Sequence, residues 1–338
     1  MKAMVLESPK EMSLNTVSDL QPKEGEVLIK NTHAGICGTD TKIYEGKIPA
    51  NYPVIMGHEI VGEVVGGDTN EDIKNGIRVL VDPVFFCGEC FQCKIGNTNL
   101  CPFGGLMGRE TNGGFAEYCV AKKNYIYPLP TGFDSKVGAA VQVLTTVLHA
   151  QNKGGIIKGD TVVILGLGVT GLMHIQLAKA KGAKLVIGVS RNQHKREVAL
   201  SLGVDLVISH GDEAKRIILD ATDGEGADAV IECVGHLSVL AEAIDLARLG
   251  GKIIPFAIYP SGTAELPFYD FYFKELEIIN VRAAKGKDFE ECIKLVSEQQ
   301  VDLAALITHS MPYTQLNEAL TMLMEPSDER LKVIMEMS

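Results

Sequence analysis

Two textures of apolar and polar residues follow one another along the chain. Up to about residue 150 the apolar residues come in short runs rich in β-branched side chains, at 27–30, 59–65, 78–84 and 115–121, broken by Gly, Pro and Asn. That is the pattern of short strands. Around 154–160 the texture changes to an alternation of strand-like and helix-like segments. Strand then helix is predicted at 161–165 and 169–181, at 185–189 and 193–201, at 206–208 and 212–221, and at 228–232 and 237–248, followed by a strand at 252–256. Short apolar strands separated by helices of this length predict right-handed βαβ crossovers and a parallel sheet. Gly182, Gly203 and Gly250 stand where those helices should end. A strand at 276–281 and a helix at 288–299 come next, and the tail 303–338 is too short for a core of its own. The fold class expected is α/β. A β-rich domain made of 1–149 and 284–338 carries an inserted, doubly wound parallel-sheet domain at 150–283.

Composition narrows the setting. The 338 residues suffice for two domains of ordinary size, and 46% hydrophobic with 22% charged residues is globular composition. The N-terminus meets Glu7 and Pro9 before a signal-like apolar core can form, and no apolar run reaches the roughly 18 residues of a membrane span. The expectation is a cytoplasmic protein with no membrane partner. A net charge of −11 argues against nucleic acid, which needs a basic face.

Candidate chemistry starts with Cys87, Cys90, Cys93 and Cys101, a C-x2-C-x2-C-x7-C run in a loop rich in glycine. Two-residue gaps let a tight loop wrap thiolates around one tetrahedral Zn²⁺, and four filled positions make such a site structural. Disulfides or a redox pair, and an iron–sulfur cluster, are the alternatives to zinc.

Gly166-Leu167-Gly168-Val169-Thr170-Gly171 follows an apolar strand and opens a helix. In that context the G-x-G-x-x-G pattern predicts a dinucleotide site, with the backbone approaching a pyrophosphate at a helix N-terminus. Tight turns alone can also place glycines this way. The second strand then ends at Ser190-Arg191, with Lys195 and Arg196 close behind, where an NAD site usually carries an acidic residue. A hydroxyl and a guanidinium suit a 2′-phosphate, which predicts a preference for NADP(H) over NAD(H). The alternative is a solvated basic start to the next helix.

Cys37, His58 and Glu59 stand in glycine-bounded loops of the β-rich segment. A thiolate, an imidazole and a carboxylate with a vacant fourth position are the donors of a catalytic zinc. Such an ion favours the alkoxide form of an alcohol, which expels hydride readily. Thr39 is placed to carry the hydroxyl proton away, and Asp40 to orient a ligand.

At this point the chain resembles the zinc-dependent medium-chain alcohol and polyol dehydrogenases, in the branch of the sorbitol and threonine enzymes. The likeness rests on Gly35-Ile36-Cys37-Gly38-Thr39-Asp40, Gly57-His58-Glu59 with Gly62, the four-cysteine lobe, Gly113-Gly114-Phe115-Ala116-Glu117-Tyr118 and the Gly166 turn, in that order. The resemblance implies a GroES-like catalytic domain, a Rossmann domain and a homodimer or homotetramer. It implies Cys37 and His58 as catalytic zinc ligands, and Glu59 as a direct ligand or a carboxylate exchanging with water. Three positions depart from the family. Gln142 stands where Cys or Glu often lies near the metal, Lys42 where many members have a relay histidine, and Asp68 in place of a glycine. Tyr44 and Phe115 are candidates for the substrate pocket or for the core. Cys119, Cys233 and Cys292 read as small buried hydrophobes, and His149, His174, His194, His210, His236 and His309 as structural or exposed.

The activity expected is interconversion of a secondary alcohol (a polyol, sugar or hydroxy-compound) with its ketone, using NADP(H) and two zinc ions per chain. The alternatives are a zinc-free enone or quinone reductase on the same fold, which needs no Cys37/His58 pair, and a non-catalytic NADP(H)-binding protein.

Overall fold

The computed structural model describes residues 1–211, 213–259, 263 and 266–337. The chain divides into two compact units, Met1–Thr145 with Ala283–Ser297 and Leu303–Ser338, and Thr146–Arg282 with Glu298–Asp302. The last segment groups with the second unit for a visible reason. The Gln176 side chain accepts from the Asp302 N–H at 2.6 Å and donates to the Asp302 carbonyl at 3.0 Å.

The first unit begins with β1 (Lys2–Ser8), β2 (Glu11–Thr16) and β3 (Glu26–Gly35), followed by the short helix α1 (Gly38–Tyr44). Next come β4 (Val54–Ile55), β5 (Glu59–Gly67), β6 (Arg78–Val81) and β7 (Val84–Phe85). The lobe helix α2 (Phe91–Lys94) leads to β8 (Gly105–Leu106), β9 (Tyr118–Lys122) and β10 (Ile126–Pro128). Helix α3 (Ser135–Lys153) contains the boundary between the units. Two expected strands come out shorter. The run 78–84 breaks between β6 and β7, because Asp82 Oδ1 accepts the Val84 N–H at 2.9 Å and Pro83 has no N–H for a ladder. The run 115–121 becomes strand only from Tyr118, since the Asn31 side chain takes the Gly114 and Ala116 carbonyls.

The second unit alternates as the pattern requires. It runs β11 (Thr161–Leu165), α4 (Val169–Ala180), β12 (Leu185–Val189), α5 (Gln193–Ser201) and β13 (Leu206–Ile208). It continues with α6 (Ala214–Ala221), β14 (Ala227–Glu232), α7 (Leu237–Leu246), β15 (Ala247–Pro255), α8 (Phe268–Lys274) and β16 (Glu277–Ile278). All six strands are parallel, in the order β13-β12-β11-β14-β15-β16. This is the Rossmann order, with its crevice where β11 and β14 lead off in opposite directions. Val162, Val163 and Ile164 are fully buried, as a parallel strand covered on both faces requires. Gly182 and Gly203 follow the C-caps of α4 and α5 with φ of 80° and 83°. Gly250 does not cap α7, which already ends at Leu246. It lies inside β15, whose pairing with β14 shifts register between Ala227 and Ala229. The strand expected at 276–281 is only β16, and Asp212, the expected start of α6, lies outside the described residues.

The tail supplies α9 (Gly286–Ser297), β17 (Ile307–Pro312), α10 (Leu316–Met324) and β18 (Lys332–Glu336). β18 pairs antiparallel with β3, so the end of the chain closes the main sheet β10-β6-β5-β3-β18-β17 of the first unit, with β9 also on β3. A core of Leu6, Ile43, Met56, Phe115, Leu316 and Val333 ties the first segment to this tail. Among the described residues no helix is long and apolar enough to cross a membrane.

Candidate metal centres and dinucleotide groove

The four cysteines of the lobe turn their sulfurs toward one point. The Sγ–Sγ separations are 3.5 Å for Cys90–Cys93 and Cys101–Cys87, 3.8 Å for Cys90–Cys101 and 4.0 Å for Cys87–Cys93. A regular tetrahedron with Zn–S arms of about 2.3 Å has edges of about 3.8 Å. The separations rule out disulfides, whose sulfurs lie about 2.05 Å apart, and enclose room for one ion rather than a cluster of irons. Backbone N–H groups support the sulfurs: Cys90 N donates to Cys87 Sγ at 3.3 Å, and Cys87 N to Cys101 Sγ at 3.4 Å. The Glu89 and Cys90 N–H groups pull the Cys87 thiol down to about 6. Burial and the neighbouring sulfurs push the Cys93 thiol the other way, up to about 12, so it is the four converging sulfurs, rather than a shared thiolate character, that fit a zinc ion.

The second cluster is assembled from distant segments. Cys37 caps α1 with extended backbone, and its N–H donates to Asp40 Oδ2 at 2.8 Å. The other oxygen of that fully buried carboxylate lies 3.2 Å from His58 Nδ1, close enough to pair although not aligned as a hydrogen bond. One acid thus holds the start of α1 and faces one nitrogen of the ring, leaving Nε2 for a ligand. The donor atoms of Cys37, His58 and Glu59 all lie within 4.8 Å of one another. Burial opposes it, yet the Asp40 carboxylate holds His58 well above its ordinary pKa. Against the same penalty, the His58 ring holds the Cys37 thiol below its own.

Glu59 is fully buried, and its Oε2 pairs with Lys332 Nζ on β18, a lysine only 3% exposed. Lys332 Nζ also donates to the Ile36 carbonyl at 2.9 Å. A Cβ on Gly35 would collide with the Glu59 carboxylate, so the chain needs glycine there for the pair to form. Glu59 Oε1 has no hydrogen-bond partner. An orphaned, buried carboxylate oxygen is costly unless something else takes it up. With a thiolate and an imidazole beside it, this donor set fits a zinc-type ion. Lys332 was not anticipated from the sequence, because nothing local marks a lysine in an apolar strand as the partner of a distant acid.

Of the other residues singled out, Thr39 is half-buried on α1 and Gln142 is buried in α3, where its carbonyl receives the Thr145 hydroxyl. Lys42 is half-buried on α1. Phe115 belongs to the core, with its ring packed beneath Gly57, and Tyr44 packs against the same cluster. Asp68 is a clip, accepting from Gly25 N at 2.8 Å and pairing with Lys123 at 2.8 Å. Cys119 and Cys292 are buried, as are His149 and His174; burial pushes His174 down to about 3.

In the second unit the glycine turn adjoins a cavity of about 570 Å³. Gly166 adopts φ of 95°, and a Cβ there would come 2.6 Å from Val234, whereas one on Gly168 would meet nothing. A Cβ on Gly171 would collide with the Gly166 carbonyl. Gly166 and Gly168 line the cavity together with Ser190, Arg191 and Lys195; Val169 and Gly171 do not, but open α4 and close the turn behind it. Arg196 is tied to the loop instead, donating to the Ser190 and Arg191 carbonyls at 2.7 and 3.0 Å. Cys233, expected to be buried, is half-buried and lines the cavity, as do His210, His236 and Glu242. Their sequence neighbourhoods carry no motif, since they enter from the loops after β13 and β14 and from α7.

Comparison with known proteins agrees with this architecture. The family described as alcohol dehydrogenase GroES-like domain matches residues 23–131, and that described as zinc-binding dehydrogenase matches 169–298. A sorbitol dehydrogenase of Halalkalibacterium halodurans is 32% identical over 318 residues, covering 93% of this chain and 92% of that protein. A solved structure described as a zinc-binding dehydrogenase of Sinorhizobium meliloti 1021, bound to NADP, has a TM-score of 0.92 at 31% identity and covers 99% of this chain and 98% of its own. Another, described as a short chain alcohol dehydrogenase of Escherichia coli CFT073 complexed with NADH, has a TM-score of 0.93 at 30% identity and covers 99% of both chains. The chain belongs to the zinc-binding, GroES-like alcohol dehydrogenase family, and its two folds are the GroES-like and Rossmann folds of those medium-chain oxidoreductases.

Proposed function

We propose that this chain is a zinc-dependent dehydrogenase that exchanges a hydride between a secondary alcohol, of polyol or sugar type, and NADP(H), with the ketone as the other product. The observation that carries the reading is the convergence of Cys37, His58 and Glu59, backed by Asp40 and Lys332. These three residues would hold the catalytic zinc, with Gln142 as a further candidate, and Cys87, Cys90, Cys93 and Cys101 a structural one. A bound zinc supplies Lewis acidity that favours ionisation of an alcohol. Thr39 would accept the alcohol's proton at its hydroxyl as it passes its own to water, so that one proton is relayed outward; Asp40 keeps the His58 ring in place, and Lys332 restrains the Glu59 carboxylate.

The start of α4 and the turn through Gly166, Gly168, Val169 and Gly171 receive the pyrophosphate. Ser190, Arg191 and Lys195 receive a 2′-phosphate. Of the two solved relatives above, one carries NADP and the other NADH, so the cofactor choice rests on these side chains. The sorbitol dehydrogenase relative supports a polyol as substrate class. The aromatic residues Phe268, Tyr269, Tyr272 and Phe273 of α8 are 60–81% exposed beside the edge strand β16, which supports a homo-oligomer. We assign catalysis to residues 1–149 and 284–338, and nucleotide binding to 150–283.

The test is kcat/KM for NADP and NAD across a panel of polyols, hydroxy acids and amino alcohols. NADP-dependent oxidation of a polyol is expected. A clear NAD preference would refute the cofactor choice, and turnover of enones without any alcohol would refute the reaction.

A further inference from the structure

The charged wall of the dinucleotide cavity is not purely cationic. Arg191 and Lys195 line it, but so does Glu242 of α7. A carboxylate in that wall acts against any ligand carrying a 2′-phosphate, because like charges within a Debye length of about 8 Å still repel appreciably. Glu242 is not left bare. His210, from the loop after β13, brings its Nε2 within 3.2 and 3.0 Å of the two carboxylate oxygens. The pair also lines an adjoining cavity of about 230 Å³, so it stands as a shared wall between the two spaces. Beyond it lies a second pair, Lys215 with Asp245 at 3.0 Å. His210 and Glu242 are 36% and 44% exposed, and ion pairs with that exposure contribute little to stability. Their placement in the groove is therefore the informative property.

We propose that Glu242 is a specificity-determining residue for the cofactor and that His210 is its shield. Glu242 penalises the 2′-phosphate of NADP(H), and His210 reduces that penalty by covering both carboxylate oxygens. The 2′-hydroxyl of NAD(H) is neutral and is largely indifferent to both. Selectivity is then a balance of Arg191 and Lys195 against a screened Glu242, rather than a property of the end of β12 alone. The inference rests on the assignment of this groove to the dinucleotide.

The experiment is kcat/KM for NADP and NAD in the wild type, Glu242→Gln, His210→Ala, the double variant and Arg191→Ala, with inhibition by 2′,5′-ADP and 5′-AMP as a measure of binding alone. Glu242→Gln should raise the NADP value about three- to tenfold and leave NAD within about twofold. His210→Ala should lower the NADP value several-fold. The double variant should match Glu242→Gln, because a shield without a charge to cover has no effect, which makes the two changes non-additive. Inhibition by 2′,5′-ADP should follow NADP. Equal changes for both cofactors, no change, or additive effects would overturn the proposal. A wild type that prefers NAD would refute the NADP(H) preference alone, since the proposal is scored on how the ratio moves. An Arg191→Ala enzyme unchanged with both cofactors would remove the groove assignment and the proposal with it.

Discussion

The four-cysteine lobe and the Cys37–His58–Glu59 cluster belong to the same unit and both gather sulfur, yet they are built by different means. The lobe takes all its donors from one short loop, leaves Cys87 exposed and supports its sulfurs with its own backbone N–H groups. The other cluster draws on the end of β3, the start of α1, the start of β5 and, through Lys332, the last strand of the chain. Apart from the half-buried Cys37, its members Asp40, His58, Glu59 and Lys332 are all buried. A centre that only holds an ion can be local and self-sufficient. On the proposed function the second centre keeps a position free for substrate, and such a centre needs its donors fixed from behind by groups that never touch the ion.

The sharpest way to break this comparison is to remove one sulfur from each centre. Cys37→Ala should lower kcat/KM on the order of 10³-fold or more, the several kcal/mol that Lewis-acid assistance supplies. NADPH binding, followed by fluorescence, should stay unchanged; retained turnover would mean that the open cluster is not the reacting centre.

Lys332→Met comes next. It strands the Glu59 carboxylate in the core, and breaking a buried pair in this way destabilises by about 3–5 kcal/mol. Urea unfolding should show that loss, and Lys332→Met combined with Glu59→Gln should recover most of it. If the double variant is no more stable than the single one, the pair is not what holds the acid.

Cys90→Ser should act on stability instead, lowering Tm on the order of 5 °C while initial rates at 25 °C stay within about twofold. A loss of activity as large as that of Cys37→Ala would erase the distinction between the centres. The smallest effect is one of order. Under a chelator, activity should decay before Tm falls, because an open site exchanges its ion more readily than a closed one; simultaneous loss would contradict that.

What the sequence shows and what it hides divide along the same line. The glycine turn at Gly166, the alternation around it and the four-cysteine run are legible because each is complete within a short stretch and its residue types are required by local geometry. Cys37, His58 and Glu59 are legible as donor types and Asp40, close by in sequence, as the acid that orients one of them, but the supports from distant segments are not. Lys332 reads as an unremarkable strand residue until β18 pairs with β3, and Gly35 as a loop glycine until the Glu59 carboxylate fills the space where its side chain would go. Cys233, His210 and Glu242 line the groove only because the connections that follow β13 and β14 open at the same end of one sheet. The misplaced cap at Gly250 and the broken run at Asp82 share a cause, a tertiary or side-chain contact overriding a local pattern.

The most direct test of the zinc-dehydrogenase assignment is the zinc content per chain of the purified wild type and of Cys37→Ala, measured with polyol-dependent NADP reduction on the same samples. About two zinc ions and turnover are expected in the wild type, and about one ion without turnover in the variant. A wild type that turns over alcohol without zinc, or a variant that keeps full activity after losing an ion, would contradict that assignment.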